Sequence, residues 1–245
     1  MSGMTGRETR DIQAFERIVH RGIGEVRISQ GERAEVAVEA PEHVRPRLIT
    51  VAAGGTLTLG YHHDWFGWFD WLWRPCWSYG SIIFHITVTK LTGLRLSGAG
   101  KVEISRLETD RLELVLSGAG SLGADEIETG AMEIKLSGAG SIRVNALSAG
   151  SLRTVLSSAG SVEIGSGRVG EQQIALSGAG NYHGGGLQSQ AAKVRITGIG
   201  NATLSAAESL EAEISGFGKV LYHGQPRIIQ KVTGLGRVES LGERC

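Results

Sequence analysis

Through most of the chain, apolar residues alternate with polar ones in short runs, and the runs themselves repeat. Leu94 and Leu96 form one such pair, and it recurs as Leu114 and Leu116, Ile134 and Leu136, Ile174 and Leu176, and Val194 and Ile196. A second aliphatic column follows after each turn, at Val102, Leu122, Ile142, Val162, Val220 and Val238. Apolar residues at every second position follow the period of a strand, not of a helix. The pattern therefore predicts short strands separated by tight turns, repeated along the chain.

Each turn carries one tetrapeptide. Ser-Gly-Ala-Gly stands at Ser97, Gly98, Ala99, Gly100; at Ser117, Gly118, Ala119, Gly120; at Ser137, Gly138, Ala139, Gly140; and at Ser177, Gly178, Ala179, Gly180. Ser157–Gly160 reads SSAG, and Thr197–Gly200, Ser215–Gly218 and Thr233–Gly236 keep the Ser/Thr-Gly-x-Gly form. The spacings are 20 residues five times, then 18 twice, and Arg21–Gly24 reads as an earlier, degenerate copy. Repeats of this size cannot bury a face alone and must stack. Stacking at the inter-strand distance of about 4.8 Å makes the eight motifs a rod of roughly 34 Å. Aliphatic ladders would fill its inside. A Ser/Thr ladder would pass hydroxyl hydrogen bonds along it. The glycines would supply backbone angles closed to other residues. The asparagine ladder of a leucine-rich repeat is missing, and five aspartates in the whole chain are too few for a calcium-binding β-roll. The fold expected is all-β: a single-domain parallel β-helix with rungs of about 20 residues. It is divided into a flexible leader at 1–13 and a domain at 14–245, with an insertion at 61–80 and regular repeats at 91–240.

Composition agrees. Glycine numbers 37 of 245 residues and proline only 4, which fits neither a disordered Pro/Gly-rich chain nor collagen. Fifteen of those glycines lie in the eight motifs. Basic and acidic residues balance at 25 each, which argues against nucleic acid and against broad attraction to anionic membrane, leaving room only for a local patch. Met1–Gln13 has no apolar run of the kind a signal peptide needs. A soluble chain is expected, cytoplasmic or a mature form without its export signal. Cys76 and Cys245 stand far apart and read as free thiols.

The most distinct segment is Tyr61–Gly80, which holds all five tryptophans. Trp65, Phe66, Trp68, Phe69, Trp71, Trp73 and Trp77 are the candidate ligand- or partner-binding residues. Asp64 would cap a short helix and Pro75 stop it, placing Trp65, Trp68, Phe69 and Leu72 on one face. A lid over the open end of the rod is the first reading. A platform that stacks on sugar rings or anchors a protein partner is the second. Insertion at a membrane interface is the third, weakened because Arg74 is the lone basic residue in the segment. His62, His63, Asp64 and Cys76 match no standard metal spacing and read as loop polars, so no metal and no cofactor are expected.

Chemistry elsewhere is sparse. Glu113 and Glu133 would share one column of the stack, a carboxylate pair of the kind glycoside hydrolysis needs. Nothing in the sequence builds a cleft around them, and the motif serines have a packing role, so the chain does not read as an enzyme. The column Val115, Val155, Ala175 is apolar for an outer face, and a lateral rod contact is the sharper of its two readings. After Thr233–Gly236 no amphipathic capping helix follows, and an uncovered last rung predicts a homo-oligomer.

The tandem LSGAGSI-like turns carry a family resemblance. So do Phe15–Val19 leading to Gly24–Gly31, Val36–Ala40, and Gly54–Leu59. The chain resembles the putative auto-transporter adhesin family with the head GIN domain, over roughly Phe15 to Glu239. The resemblance implies a right-handed parallel β-helix, a cell-envelope or extracellular setting, and an adhesin-like binding or structural role with a glycan or envelope protein as partner. It implies no catalytic residues. The absent signal peptide and the aromatic insertion depart from the family pattern.

Overall fold

A backbone that turns back on itself every 20 residues meets its own previous turn, and this is how the chain is built. The computed structural model describes residues 5–10, 12–61 and 82–243. The opening strands are β1 (Thr5–Arg10), β2 (Arg17–Arg21), β3 (Glu25–Gln30) and β4 (Glu35–Pro41). After a 3-10 turn at Arg45–Arg47 come β5 (Leu48–Ala53), β6 (Thr56–Tyr61), β7 (Ile83–Val88) and β8 (Gly93–Leu96). Five strands of 16 residues follow: β9 (Lys101–Leu116), β10 (Ser121–Leu136), β11 (Ser141–Leu156), β12 (Ser161–Leu176) and β13 (Asn181–Ile196). The chain closes with β14 (Asn201–Ile214), β15 (Lys219–His223), β16 (Arg227–Val232) and β17 (Arg237–Ser240). The result is a β-solenoid of about seven turns.

Long strands pair in parallel with residues 20 apart in register, as in Leu122 with Ile142 and Ile142 with Val162. Pairing skips Asp125 and Gly130 in β10, dividing the strand into runs of 4, 4 and 6 residues. Two exposed residues adjoin at Asp125–Glu126, where the in/out alternation changes phase. Each rung is therefore three-sided, with corners at the tetrapeptide, at the Asp125 column and at the Gly130 column. The third corner has its own glycine ladder: a Cβ on Gly130, Gly150 or Gly170 would stand 2.8, 2.7 or 2.7 Å from the carbonyl oxygen beneath it. The three inner columns read from the sequence are buried from Leu94, Leu96 and Val102 up to Ala212, Ile214 and Val220.

The motif corner is built for a different reason than backbone angle. None of its glycines from Gly98 to Gly236 has positive φ. A Cβ on Gly118, Gly138 or Gly198 would instead overlap the carbonyl of the stacked glycine below, Gly98, Gly118 or Gly178. The glycines are there because consecutive corners lie almost in contact. The serine ladder differs too. Motif hydroxyls turn to backbone: Ser97 and Ser177 donate to the carbonyls of His20 and Leu156, each at 3.4 Å. The firm links are backbone N–H groups, such as Ser117 and Ser137 to Leu96 and Leu116, both at 2.9 Å. The third motif position, occupied mostly by alanine, faces solvent.

The N-terminal third folds as an excursion from the same stack. β2 lies beside β8, and β3 beside β9, with Ile18 level with Leu94 and Val26 with Val102. The amides of Ala99 and Lys101 donate to Gly22 and Gly24 at 3.1 and 2.9 Å, so Arg21–Gly24 is a true corner copy, directly beneath Ser97–Gly100. On the other side β2 and β3 carry β6 and β7. Antiparallel strands then end the stack: β5 on β6, β4 on β7, and β1 on β4. The β5–β6 turn uses Gly54 and Gly55, both at positive φ, as a two-residue hairpin requires. Thr5–Arg10 was expected within a flexible leader at 1–13; it is a strand instead, because β4 would otherwise expose an unpaired edge. Phe15, Val44 and Leu48 are buried at this end.

Candidate functional site

The aromatic candidates Trp65, Phe66, Trp68, Phe69, Trp71, Trp73 and Trp77 lie outside the described residues. So do the predicted helix face and His62, His63, Asp64 and Cys76. The described flanks on either side of it belong to one rung. Gly60 is level with Arg21 and Ile83 with Glu25, and the Glu25 amide donates to the Ile82 carbonyl at 2.9 Å. The two flanks thus stand on either side of the position that Gly22–Gly24 takes in the next rung, a relation the linear sequence did not reveal. Strand edges at this end are covered by β5, β4 and β1.

Glu113 and Glu133 do share a column, as their spacing predicts. Lys135 sits between them, its Nζ 2.7 Å from Glu113 and 3.2 Å from Glu133, and Arg153 approaches Glu133 at 3.6 Å. The hydrogen bond from Lys135 holds the Glu113 carboxyl below the usual carboxylate range. A glycosidase acid needs the opposite, a carboxyl raised so that it carries a proton near neutrality. The pair belongs to an ion-pair ladder on an outer face, which Arg143 and Glu163 repeat on the next face at 2.9 Å. Val115 of the apolar outer column is buried beside them.

That next face holds a groove of about 500 Å³, lined in part by Arg27, Glu103, Asp125, Arg143, Asn145 and Glu163. Gly123 stands in the same column as Glu103 and Arg143 and leaves the groove open. Asn145 donates to Asp125 at 3.0 Å across one rung. The mixed charges that look like ordinary surface along the chain become a polar strip once the rungs are in register. Among the described residues no group of three His, Cys, Asp or Glu is placed to hold a metal ion. No helix among them is long and apolar enough to cross a membrane.

Two polar groups sit inside the rod. His20 replaces leucine in the column that runs through Leu96 and Leu116, edge-on to Phe84 with ring centroids 5.9 Å apart. Burial lowers its pKa from the ordinary 6.5, against the smaller influence of the Leu59 and Gly24 backbone. Gly100 leaves the space its Nε2 occupies. Higher up, Tyr182 is fully buried and donates to Gln172 Oε1 at 3.1 Å. Gln172 Nε2 donates to Ser189 Oγ at 2.8 Å and the Ser205 carbonyl at 3.0 Å, and Ser189 Oγ donates to that carbonyl at 2.6 Å. Burial pushes the Tyr182 hydroxyl well above its ordinary pKa. This network lies where pairing of β13 with β14 shifts register, between Gly184 and Gln188 and again between Ser189 and Ala191. There the rung shortens from 20 to 18 residues, and the side chains satisfy polar groups that the broken ladder leaves.

A family model described as "Putative auto-transporter adhesin, head GIN domain" matches residues 14–226. No curated protein matches the chain in sequence. Solved structures do. One, described as a putative lipid binding protein from Parabacteroides distasonis, is 20% identical with a TM-score of 0.87, covering 98% of both chains. A putative adhesin from Parabacteroides merdae is 21% identical with a TM-score of 0.87, covering 98% of this chain and 97% of its own. A putative adhesin from Parabacteroides distasonis is 19% identical with a TM-score of 0.83, over 98% of each. At these identities the likeness is one of fold. With the tetrapeptide corners stacked as above and the family match spanning most of the rod, the chain belongs to the putative auto-transporter adhesin, head GIN domain family.

Proposed function

We propose that the chain is a non-catalytic, adhesin-like binding module of the cell envelope or extracellular space, recognising a glycan or an envelope protein through its aromatic insertion. The observation that carries this is the length and composition of the segment joining β6 to β7, two strands that continue the stack. The stack elsewhere joins such strands through three or four residues; β6 and β7 are joined through about 20, which contain every tryptophan. A corner needs no such length to turn, and the neighbouring strand edges already have partners in β5 and β4. Aromatic side chains offer flat apolar faces to sugar rings or to a protein. Family membership supports an adhesin-like role, and the Lys135-bound state of Glu113 and Glu133 argues against a hydrolase. Because all five tryptophans fall within residues 65–77, tryptophan emission reports on this segment alone. Titration with a panel of envelope glycans is expected to shift the emission maximum. Silence across glycans and isolated envelope proteins would reject the insertion as the binding element.

A second reading, self-association, is favoured by the far end of the rod. β16 pairs with β14 on one side only and is exposed along its whole length, Ile228 and Val232 among the uncovered inner positions. Such an edge is a template for another strand. Sedimentation at micromolar concentration is expected to show a species heavier than the 26.0 kDa chain. A lone 26.0 kDa species would remove this reading.

A further inference from the structure

The third position of the tetrapeptide forms a single exposed column along one edge of the rod. From the N-terminal end it reads Ile23, Ala99, Ala119, Ala139, Ala159, Ala179, Ile199, Phe217, Leu235. Stacking is set by the backbone, with the amides of Ala99, Ile199 and Phe217 donating to the glycine carbonyls below at 3.1, 3.0 and 3.1 Å. Five successive alanines hold the middle of the column. Three large apolar residues then follow at the C-terminal end, 65% exposed at Ile199, 64% at Phe217 and 77% at Leu235. Nothing in the packing asks for their size, since alanine makes the same corner five times. Consecutive rungs set the three side chains about 4.8 Å apart, in one continuous ridge. Monomer surfaces seldom line up large apolar groups in this way without a partner.

The charges beside the ridge point to the partner. On one flank stand Lys219 and Arg237, two residues beyond Phe217 and Leu235; on the other Arg195, Glu213 and Lys231 share one column. Arg195 pairs with Glu213 at 2.7 Å and Arg237 approaches Glu239 at 3.9 Å. The ammonium groups of Lys219 and Lys231 have no carboxylate partner among the described residues, one on each side of the ridge. An apolar strip between two unpaired cations matches an anionic lipid surface, with side chains entering the acyl boundary and ammonium groups meeting phosphates. A second copy packed ridge on ridge about a two-fold axis would set these lysines against each other.

We propose that Ile199, Phe217 and Leu235 form a peripheral contact with an anionic membrane surface, with Lys219 and Lys231 holding the lipid phosphates. This site is separate in sequence from the aromatic insertion. The full chain is expected to co-sediment with phosphatidylcholine vesicles containing phosphatidylglycerol, to bind pure phosphatidylcholine far less, and to lose binding as salt rises. Phe217→Ser with Leu235→Ser, and separately Lys219→Glu with Lys231→Glu, are each expected to weaken anionic-vesicle binding about tenfold or more. All four side chains face solvent, so thermal unfolding of the variants serves as the check that the rod is intact. Three outcomes would overturn the proposal. The native chain fails to bind anionic vesicles; or the ridge variant binds them unchanged, which moves the contact to another part of the chain such as residues 65–77; or the ridge variant breaks up a homo-oligomer without altering vesicle binding, which makes the partner a second copy.

Discussion

Gly138→Val is expected to destabilise the solenoid by about 4 kcal/mol or more, near the upper end for a single substitution. Gly138 has ordinary backbone angles, so the penalty does not come from conformation. It comes from distance: any Cβ there overlaps the carbonyl of Gly118 below, and the valine methyls cannot turn away from a neighbour one rung off. The rungs must separate, which stretches the backbone hydrogen bonds on both flanks of the corner. Urea unfolding followed by far-ultraviolet circular dichroism measures the loss. The chain contains its own milder comparison. At the equivalent place in the next rung stands Ser158, whose hydroxyl donates to the Gly138 carbonyl at 2.5 Å. Gly138→Ser is therefore expected to cost clearly less than Gly138→Val. Gly54→Ala tests the other kind of glycine: φ is 56° and nothing lies within 4 Å, so only backbone strain of about 1 kcal/mol is expected. Equal losses at Gly138 and Gly54 would refute the close-approach account.

Gln172→Leu is the second large effect, expected at about 2–3 kcal/mol despite the similar volume. Leucine keeps the packing of the column that also holds Leu152 and Ala192. It removes the acceptor of the Tyr182 hydroxyl and a donor to the Ser205 carbonyl, leaving polar atoms buried without water to meet them. Tyr182 has no alternative pose, since its ring fills the space beside Gly184, which a Cβ there would invade at 2.6 Å. Adding Tyr182→Phe to Gln172→Leu is expected to recover part of the loss, because it deletes the orphaned hydroxyl. A double-mutant cycle in denaturant reads the coupling directly. Strictly additive losses would mean that the two side chains do not act as one unit.

These two sites mark where reading the chain succeeds and where it stops. The eight tetrapeptides at near-constant spacing identify the rung, and alternation around Leu94, Leu96 and Val102 identifies its inner positions. Both are local properties, written within a few residues. The same local view assigned the motif glycines to backbone freedom, because glycine is most often needed for that. Close approach to a carbonyl 20 residues away leaves no mark near Gly138 itself. Likewise Tyr182 and Gln172 sit in columns that alternation treats separately, and only the closing of the rung brings them together inside the rod. Arg21–Gly24 was legible as a corner, yet its contact with Ser97–Gly100 spans an excursion whose strands carry no repeat. Thr5–Arg10 offered no pattern either, since its strand state depends on the free edge of β4.

For function the division is the same. The aromatic candidates stand out by composition alone, whereas the continuity of the stack on either side of them emerges only from the pairing of β6 with β2 and β7 with β3. Along the chain the alanine column is apolar like the inner ones. Stacking turns it outward, and with it Ile199, Phe217 and Leu235. By itself the sequence determined a solenoid of short strands, its period and its repeated corner, because each of these depends on residues close in the chain. The tertiary structure alone decided which columns face water, which charges pair and which surfaces remain open, because each of these depends on what a residue meets one whole rung away.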